Sequence, residues 1–396
     1  MYYGFLESIS LKKNYFELEF DSFEKHRFSK ILDNSTRRFS YEDTSHITLR
    51  YQLEEKQDPG DLISRFKLDR WYYLVSGIGH FTGTARNIFI DTAERDISIK
   101  EIEKIDRRTK EGKDLFRYFS FSGTSPATHE ELLALFKNQP KADYVAVYDV
   151  GQGNCNAICS SGNGIIQYYD FGKDIRNSYN TSPTPLRYCL SHKPCVVLSH
   201  WDKDHWLASK YFPKIKDVPW IVPNQSLGVS HKIFAADLSR HNSLYLWPDH
   251  LTHLSLPYGD IVKCIGRNRN DSGLAMKIRL SSDTGQTKNI ILPGDCSYRH
   301  IPNIPKKIHG LVASHHGGNV YGYLPSPAAP KSTIVFSAST NSPYGHPLPR
   351  MVSRYSNLGW INVRTHGQHI GLSGSQHIIG CEGRYCDLKI TKWCQI

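Results

Sequence analysis

Apolar and polar positions follow two different rhythms along this chain, and the change falls near residue 140. Before it, short apolar-aromatic segments such as Tyr15–Phe20 and Trp71–Ser76 alternate with charged stretches. Residues 96–116, DISIKEIEKIDRRTKEGKDLF, read as a polar helix or helix pair. Thr128 with Glu131 three positions later forms a capping-box pattern ahead of the apolar face Leu132, Leu133, Leu135 and Phe136. That helix runs out near Asn138-Gln139-Pro140, where we place a boundary between an N-terminal domain, 1–140, and a second domain, 141–396.

After residue 143 the pattern becomes one of short β-branched and aromatic runs. Strands are expected at Tyr144–Tyr148, Gly164–Tyr169, Val196–Leu198, Trp220–Val222, Ala275–Leu280, Ile290–Leu292, Leu311–Ala313 and Ile334–Phe336. Most of them run into a polar cluster: Asp170, His200 to Asp202, Asp295, His315-His316, and later Asn341 to His346. Interspersed helices make this an α/β layered domain. Strands that repeatedly deliver His and Asp at their ends suit a multi-ligand site on a rigid frame.

Charge sharpens the division. Residues 1–140 carry 22 Lys/Arg against 23 Asp/Glu, a net of −1, and the remainder carries 27 against 15, a net of +12. All nine cysteines and 15 of the 19 histidines also lie after residue 140. The chemistry is therefore expected there, and the basic balance suits an anionic substrate such as nucleic acid or another phosphoester. The cysteines form no CxxC pair, which favours reduced thiols over a zinc ribbon or a disulfide framework. The opening MYYGFLES has neither the basic start nor the apolar core of a secretory signal, and no run is long enough to span a bilayer. A soluble cytoplasmic protein is the expectation.

The densest chemistry is SHWDKDHW, residues 199–206. An extended backbone would put side chains 200, 202 and 204 on one face, whereas a tight loop would fold them inward ahead of a helix near His205. Imidazoles and carboxylates suit Zn²⁺ or Mn²⁺ without thiolates. Four donors exceed the needs of one cation with an open position, but would serve two sharing a bridging carboxylate. LPGD, ending at Asp295, and SHHGG, with His315 and His316, bring further donors from later strands.

Asp149-Val150-Gly151-Gln152-Gly153, Asp170-Phe171-Gly172, SHWDKDH, LPGD, SHHGG and Asn341-x-x-Tyr344-Gly345-His346-Pro347 resemble the successive motifs of the metallo-β-lactamase fold. The nearest branch is the hydrolase domain of ComEC-type DNA-uptake proteins; the resemblance covers residues ~143 to ~390. It implies an αββα sandwich, here with an N-terminal α+β extension. It implies two divalent metal ions, with His200 and Asp202 on the first, Asp204 and His205 on the second, Asp295 bridging, and one of His315 and His316 completing the second. The other of that pair, or His346, would contact substrate or protonate the leaving group. Asp204 or a nearby histidine would accept the proton of the attacking water, and Asp149 and Asp170 would orient ligands. Relatives supply one more histidine between SHWDKDH and LPGD; His231, His241, His250 and His253 are candidates, and no spacing singles one out. That weak position, with Asp202 as a hard ligand, leans toward Mn²⁺.

Lys203 is read either as a phosphate clamp or as a surface lysine. Arg267 and Arg269 are read either as a basic loop tracking a nucleic-acid backbone or as solvated, and Asn341 and Tyr344 as substrate contacts. The expected function is a metal-dependent phosphodiesterase or nuclease acting on DNA or RNA. The alternatives are hydrolysis of a small phosphoester, cyclic nucleotide or acyl compound, and a metal-binding sensor with little turnover. Residues 1–140 are expected to bind a protein partner or select substrate; no membrane role is expected.

Overall fold

A computed structural model describes residues 1–33, 38–54, 58–162, 164–175, 186, 188–338, 342, 344–375 and 390–396. The chain is mixed α/β and divides into two compact units: Met1–Gly123 with Ser226–Asp237, and Thr124–Gln225 with Leu238–Ile396.

The first unit is built on five antiparallel strands: β1 (Tyr2–Leu11), β2 (Tyr15–Glu24), β3 (Thr44–Gln52), β4 (Trp71–Arg86) and β5 (Arg95–Lys104). Strand β1 also pairs with the start of β4, so the sheet curls until its first and fourth strands meet. Alternation along β1 explains the two apolar clusters. Leu6 joins Phe16, Leu18, Phe20, Ile47 and Leu74 on one face. Tyr3 and Phe5 join Phe28 and Ile31 of α1 (Lys25–Asp33) and Leu115 on the other, together with Val229 and Ile233. A short helix, α2 (Pro59–Ser64), precedes β4. Residues 96–116 are not the helix or helix pair expected: β5 is followed by a turn and then α3 (Lys110–Tyr118). Ile97 and Ile99 alternate with the polar residues Asp96, Ser98 and Lys100 at a strand's period of two, and pairing with β4 settles the conformation. Helix α3 starts only where the Thr109 side chain accepts from Gly112 N.

The second unit opens with the capping-box helix α4 (His129–Ala134), whose Thr128 side chain accepts from Glu131 N. The division between units falls ahead of Pro140 because Leu132 and Phe136 pack in this unit's core and Ala127 N donates to Leu246 O. Its elements follow as β6 (Tyr144–Val147), β7 (Cys155–Ser160), β8 (Gly164–Phe171), β9 (Cys195–Val197), α5 (Ala208–Tyr211) and β10 (Trp220–Val222), after which α6 (Val229–Arg240) belongs as far as Asp237 to the first unit. Then come β11 (Leu244–Leu246), β12 (His253–Leu256), β13 (Gly259–Lys263), β14 (Leu274–Ser281), β15 (Thr287–Leu292), β16 (Lys307–Ile308), β17 (Gly310–Val312), β18 (Ser326–Pro327) and β19 (Thr333–Phe336). The chain finishes with α7 (Pro349–Asn357), β20 (Ile361–Arg364), β21 (Ile370–Ser373) and β22 (Lys392–Gln395).

Among the described residues these strands form two large sheets, β11-β10-β9-β8-β7-β6-β21-β22 and β12-β13-β14-β15-β17-β19-β20. Val145, Val147, Ile158, Val197 and Leu372 of the first meet Leu254, Met276, Ile290, Leu292 and Val335 of the second in one core. On the second sheet the intervening residues Ile291, Leu311, Ile334 and Phe336 face the other way, against Met351 and Tyr355 of α7. Each such aliphatic side chain contributes about 1.5–3 kcal/mol by leaving water. Strands β8 to β11 run parallel, as do β15, β17, β19 and β20. The carboxyl ends of parallel strands are where α/β sheets gather their ligands. No helix among the described residues is long and apolar enough to cross a membrane. The seven described cysteines are not joined in disulfides.

Candidate metal centre

Five strand ends supply the site: β8 brings Asp170, β9 leads into His200 to His205, β15 into Asp295, β17 into His315 and His316, and β19 into Ser337. The backbone is bent hard at these ends. Asp170, His315 and His316 have φ of 59°, 52° and 55°, left-handed values that cost L-residues about 1–2 kcal/mol each. Gly294, φ 58°, has no room for a side chain: a Cβ there would lie 2.6 Å from that of Ser199. Strain of this kind collects where geometry serves function rather than stability.

Three buried imidazoles share one arrangement. His205 Nδ1 donates to Asp170 Oδ2 at 2.8 Å, His316 Nδ1 to the Ser337 carbonyl at 2.9 Å, and His200 Nδ1 lies 2.9 Å from Ser199 Oγ. Each Nε2 is buried and makes no hydrogen bond, as is Oδ1 of Asp295. The Asp295 carboxylate stands between them. Its Oδ1 is 3.2 Å from His205 Nε2 and 3.6 Å from His316 Nε2; its Oδ2 is 3.9 Å from His200 Nε2 and 3.7 Å from His315 Nε2. Asp204 Oδ2 is 3.2 Å from His316 Nε2, and Asp202 Oδ2 is 3.1 Å from His200 Nε2.

Donor atoms of His200, His205 and Asp295, and of Asp204, His205 and His316, lie within 4.8 Å of one another. A divalent cation fits this set. Nitrogen lone pairs with their opposite ring nitrogens already bonded, facing carboxylates, are the usual ligand arrangement. Leaving those buried atoms unsatisfied is otherwise costly. Burial works to lower the His205 imidazole, but Asp295, Asp170 and Asp204 outweigh it and raise it well above its ordinary value. His316 is raised likewise by Asp295 and Asp204 against burial. Burial pushes Asp295 up, yet His205, His315 and His316 hold it well below the carboxylate range. The facing acids favour positive charge at these atoms, which a bound cation would supply.

The remaining sequence candidates fall in different places. Of the SHHGG pair, His316 is the buried member gathered with Asp204 and His205; His315 faces the other oxygen of Asp295 with 38% of its side chain exposed. The His346 ring stacks edge-on to His315 at 5.2 Å and lies 6.2 Å from Tyr344. Asn341 lies outside the described residues. Asp149 accepts from Gly151 N and Gly367 N and so braces two turns, while Asp170 bonds directly to His205. Lys203 is 1% exposed and so is not the surface lysine that one of its two readings makes it. In the basic loop, Arg269 is buried too and donates from Nη1 to Asp202 Oδ1 at 2.6 Å, whereas Arg267 is exposed.

None of the four candidate histidines joins either donor group at this centre. His241 bonds Asp217, and His250 and His253 are exposed. His231 belongs to the first unit, where its Nδ1 accepts from Gly228 N and its Nε2 faces Glu7 Oε1 at 3.0 Å. What stands beside Asp202 is the Arg269 guanidinium. Burial raises the Asp202 carboxyl, but Arg269 and His200 outweigh it and hold the group well below its ordinary value.

Further residues support the donors without facing the cluster themselves. Asn154 Nδ2 bonds Asp170, and Ser199 N donates to Asp170 Oδ1 at 2.6 Å. Gly172 passes so close to the site loop that a Cβ would meet Asp204 O at 1.8 Å. Trp201 and Trp206 are packing residues: both are buried, with indole N–H groups bonded to the carbonyls of Pro223 and Trp201. Compared with protein-family models and with curated proteins, the chain matches none.

Proposed function

We propose that the second unit is a metal-dependent phosphodiester hydrolase of the metallo-β-lactamase type, acting on nucleic acid. One observation carries this reading: His200, His205 and His316 each have Nδ1 bonded to protein and Nε2 bare and buried, directed at the two oxygens of Asp295. The two facing sheets, with α7 packed outside one of them, agree with the sandwich the motifs imply. Oxygen and imidazole donors without a thiolate suit Mn²⁺ or Zn²⁺.

Cations held here would supply Lewis-acid activation of water and of a phosphoryl oxygen. The protein's own residues divide the remaining work. Asp295 offers one oxygen to each side of the cluster; Asp170 and the Ser337 carbonyl, which only accept, fix the His205 and His316 tautomers that leave Nε2 free to ligate, and Ser199 Oγ can accept from His200 Nδ1 in the same way. Asp204, 16% exposed, stands at the open side and is placed to accept the proton of an attacking water. His346, beside the exposed His315, stands where a leaving oxygen would take up a proton. Two cations would be held unequally: Asp204, His205, His316 and Asp295 could hold one without competition, whereas Asp202 is already shared with the permanent charge of Arg269.

The decisive experiment incubates purified protein with single- and double-stranded DNA, RNA and bis(p-nitrophenyl) phosphate in Mn²⁺, Mg²⁺ or Zn²⁺. Asp202→Ala and Asp295→Ala are run alongside. Cleavage by the wild type that both variants lose is the expected result. Wild-type protein that neither retains a cation nor cleaves any of these esters ends the proposal; a retained cation without cleavage would leave a sensor.

A further inference from the structure

Directly after the two site histidines, the chain enters a loop the metal chemistry does not use: Gly318-Asn319-Val320-Tyr321-Gly322-Tyr323. Tyr321 and Tyr323 are 65% and 54% exposed, far more than a tyrosine needs to wet its hydroxyl. The Arg299 guanidinium lies over the Tyr321 ring at 5.4 Å, and Arg350 Nη2 bonds Asn319 Oδ1 at 2.6 Å. Tyr321 N is tied to Ser297 Oγ, two residues beyond Asp295, and a Cβ on Gly318 would come within 2.8 Å of His346 Nε2. The loop therefore borders the open side of the cluster. Charge in this part of the chain has one sign: from Cys296 to Ser375 there are seven Lys/Arg and not one Asp or Glu.

From these observations we infer that Tyr321, Tyr323, Arg299 and Arg350 form a platform for single-stranded nucleic acid at the mouth of the centre. Exposed rings stack on unpaired bases, which a duplex keeps inside its own stack, and the guanidinium groups answer the phosphates. An acidic peptide would use the charge but leave the rings idle, so the pairing of the two features selects a single strand. The inference rests on the hydrolase reading for its biological sense, but the binding itself needs no cation.

Fluorescence anisotropy of labelled oligothymidylate, with metal-free protein in chelator, tests it. Tyr321→Ala and Tyr323→Ala each weaken binding about tenfold, the range stacking supplies, while Tyr321→Phe stays within about twofold. Arg299→Gln reduces the slope of log affinity against log salt by about 0.7, one phosphate contact on a single strand. Thermal unfolding of each variant shows whether it has kept its fold. Equal affinity of the wild type and the folded double alanine variant overturns the platform. So does equal affinity for oligothymidylate and oligoglutamate, which would leave only a charged patch. A wild type that binds the strand through these rings but does not hydrolyse bis(p-nitrophenyl) phosphate keeps the platform and removes the hydrolase. Hydrolysis with ring-independent binding does the reverse.

Discussion

Replacing Asp170 by Asn separates a residue that orients a ligand from one that merely fills space. Asp170 is completely buried, and its oxygens accept from Ser199 N at 2.6 Å, Asn154 Nδ2 at 2.9 Å and His205 Nδ1 at 2.8 Å. Asparagine tolerates the φ of 59°, so the backbone has no reason to move. It keeps one acceptor oxygen and gains an amide that faces donors. If the oxygen stays on Ser199 N, the new NH₂ confronts both Asn154 Nδ2 and the His205 ring. The ring relieves this by carrying its proton on Nε2, the atom a cation needs. Loss of such a partner weakens cation binding about 10- to 100-fold, or about 1.4–2.7 kcal/mol. Chelator competition with Mn²⁺ and Zn²⁺ measures it directly. Thermal unfolding with and without cation gives an independent reading, because the cation-dependent gain in stability shrinks by the same free energy. Affinity within about twofold of the wild type refutes the tautomer argument. So would a stability loss equal with and without cation, which assigns Asp170 to the fold alone.

Three other outcomes follow from the same geometry. Gly172→Ala forces a Cβ against Asp204 O and should cost about 1–3 kcal/mol of overpacking; cation stoichiometry by elemental analysis should fall with it. Arg269→Met removes a charge that holds Asp202, so the variant should unfold earlier in chelator, by about 1–3 kcal/mol, yet recover more stability than the wild type on adding Mn²⁺. His369 is pushed down to about 4 by burial, and its Nδ1 accepts from Asp149 N. An unfolded chain takes up that proton near pH 6.5 while the folded one resists until about 4, so stability is lost as pH falls through this window, by up to about 3 kcal/mol. NMR titration of the His369 ring checks it, and a midpoint near 6.5 contradicts it.

The sequence announced the site more clearly than the frame around it. SHWDKDHW, LPGD and SHHGG each follow an apolar run, and strand ends are local features that a reader of sequence can find. What it could not resolve depended on distant partners. His315 and His316 are neighbours in composition and chemistry, and only their two left-handed backbones send one inward and leave the other at the mouth. Arg269 looked like a loop cation because its partner, Asp202, lies 67 positions earlier. Lys203 looked exposed because nothing in its flanking acids says that the turn buries it. In residues 95–104 the helical reading lost to a period-two alternation interrupted by charges, decided by pairing with β4. The division at Gly123 escaped notice because a proline is a stronger local signal than the packing of Leu132 and Phe136.

Residues 226–237 are made long after the strands they join. Asp21 receives hydrogen bonds from Ser230 N and Oγ, and Val229 and Ile233 complete an apolar cluster begun by Tyr3 and Phe5. On a ribosome, the interior of the first unit is therefore completed only after more than half of the chain has been synthesised. In that interval the face carrying Tyr3 and Phe5 already has Phe28, Ile31, Leu115 and Phe119 against it and lacks only Val229 and Ile233. Cutting the gene at residue 123 would not yield two independent proteins, since each fragment would lack or strand a piece of the other's interior. Physical separation of the two units would require moving the 226–237 segment, not merely choosing a boundary.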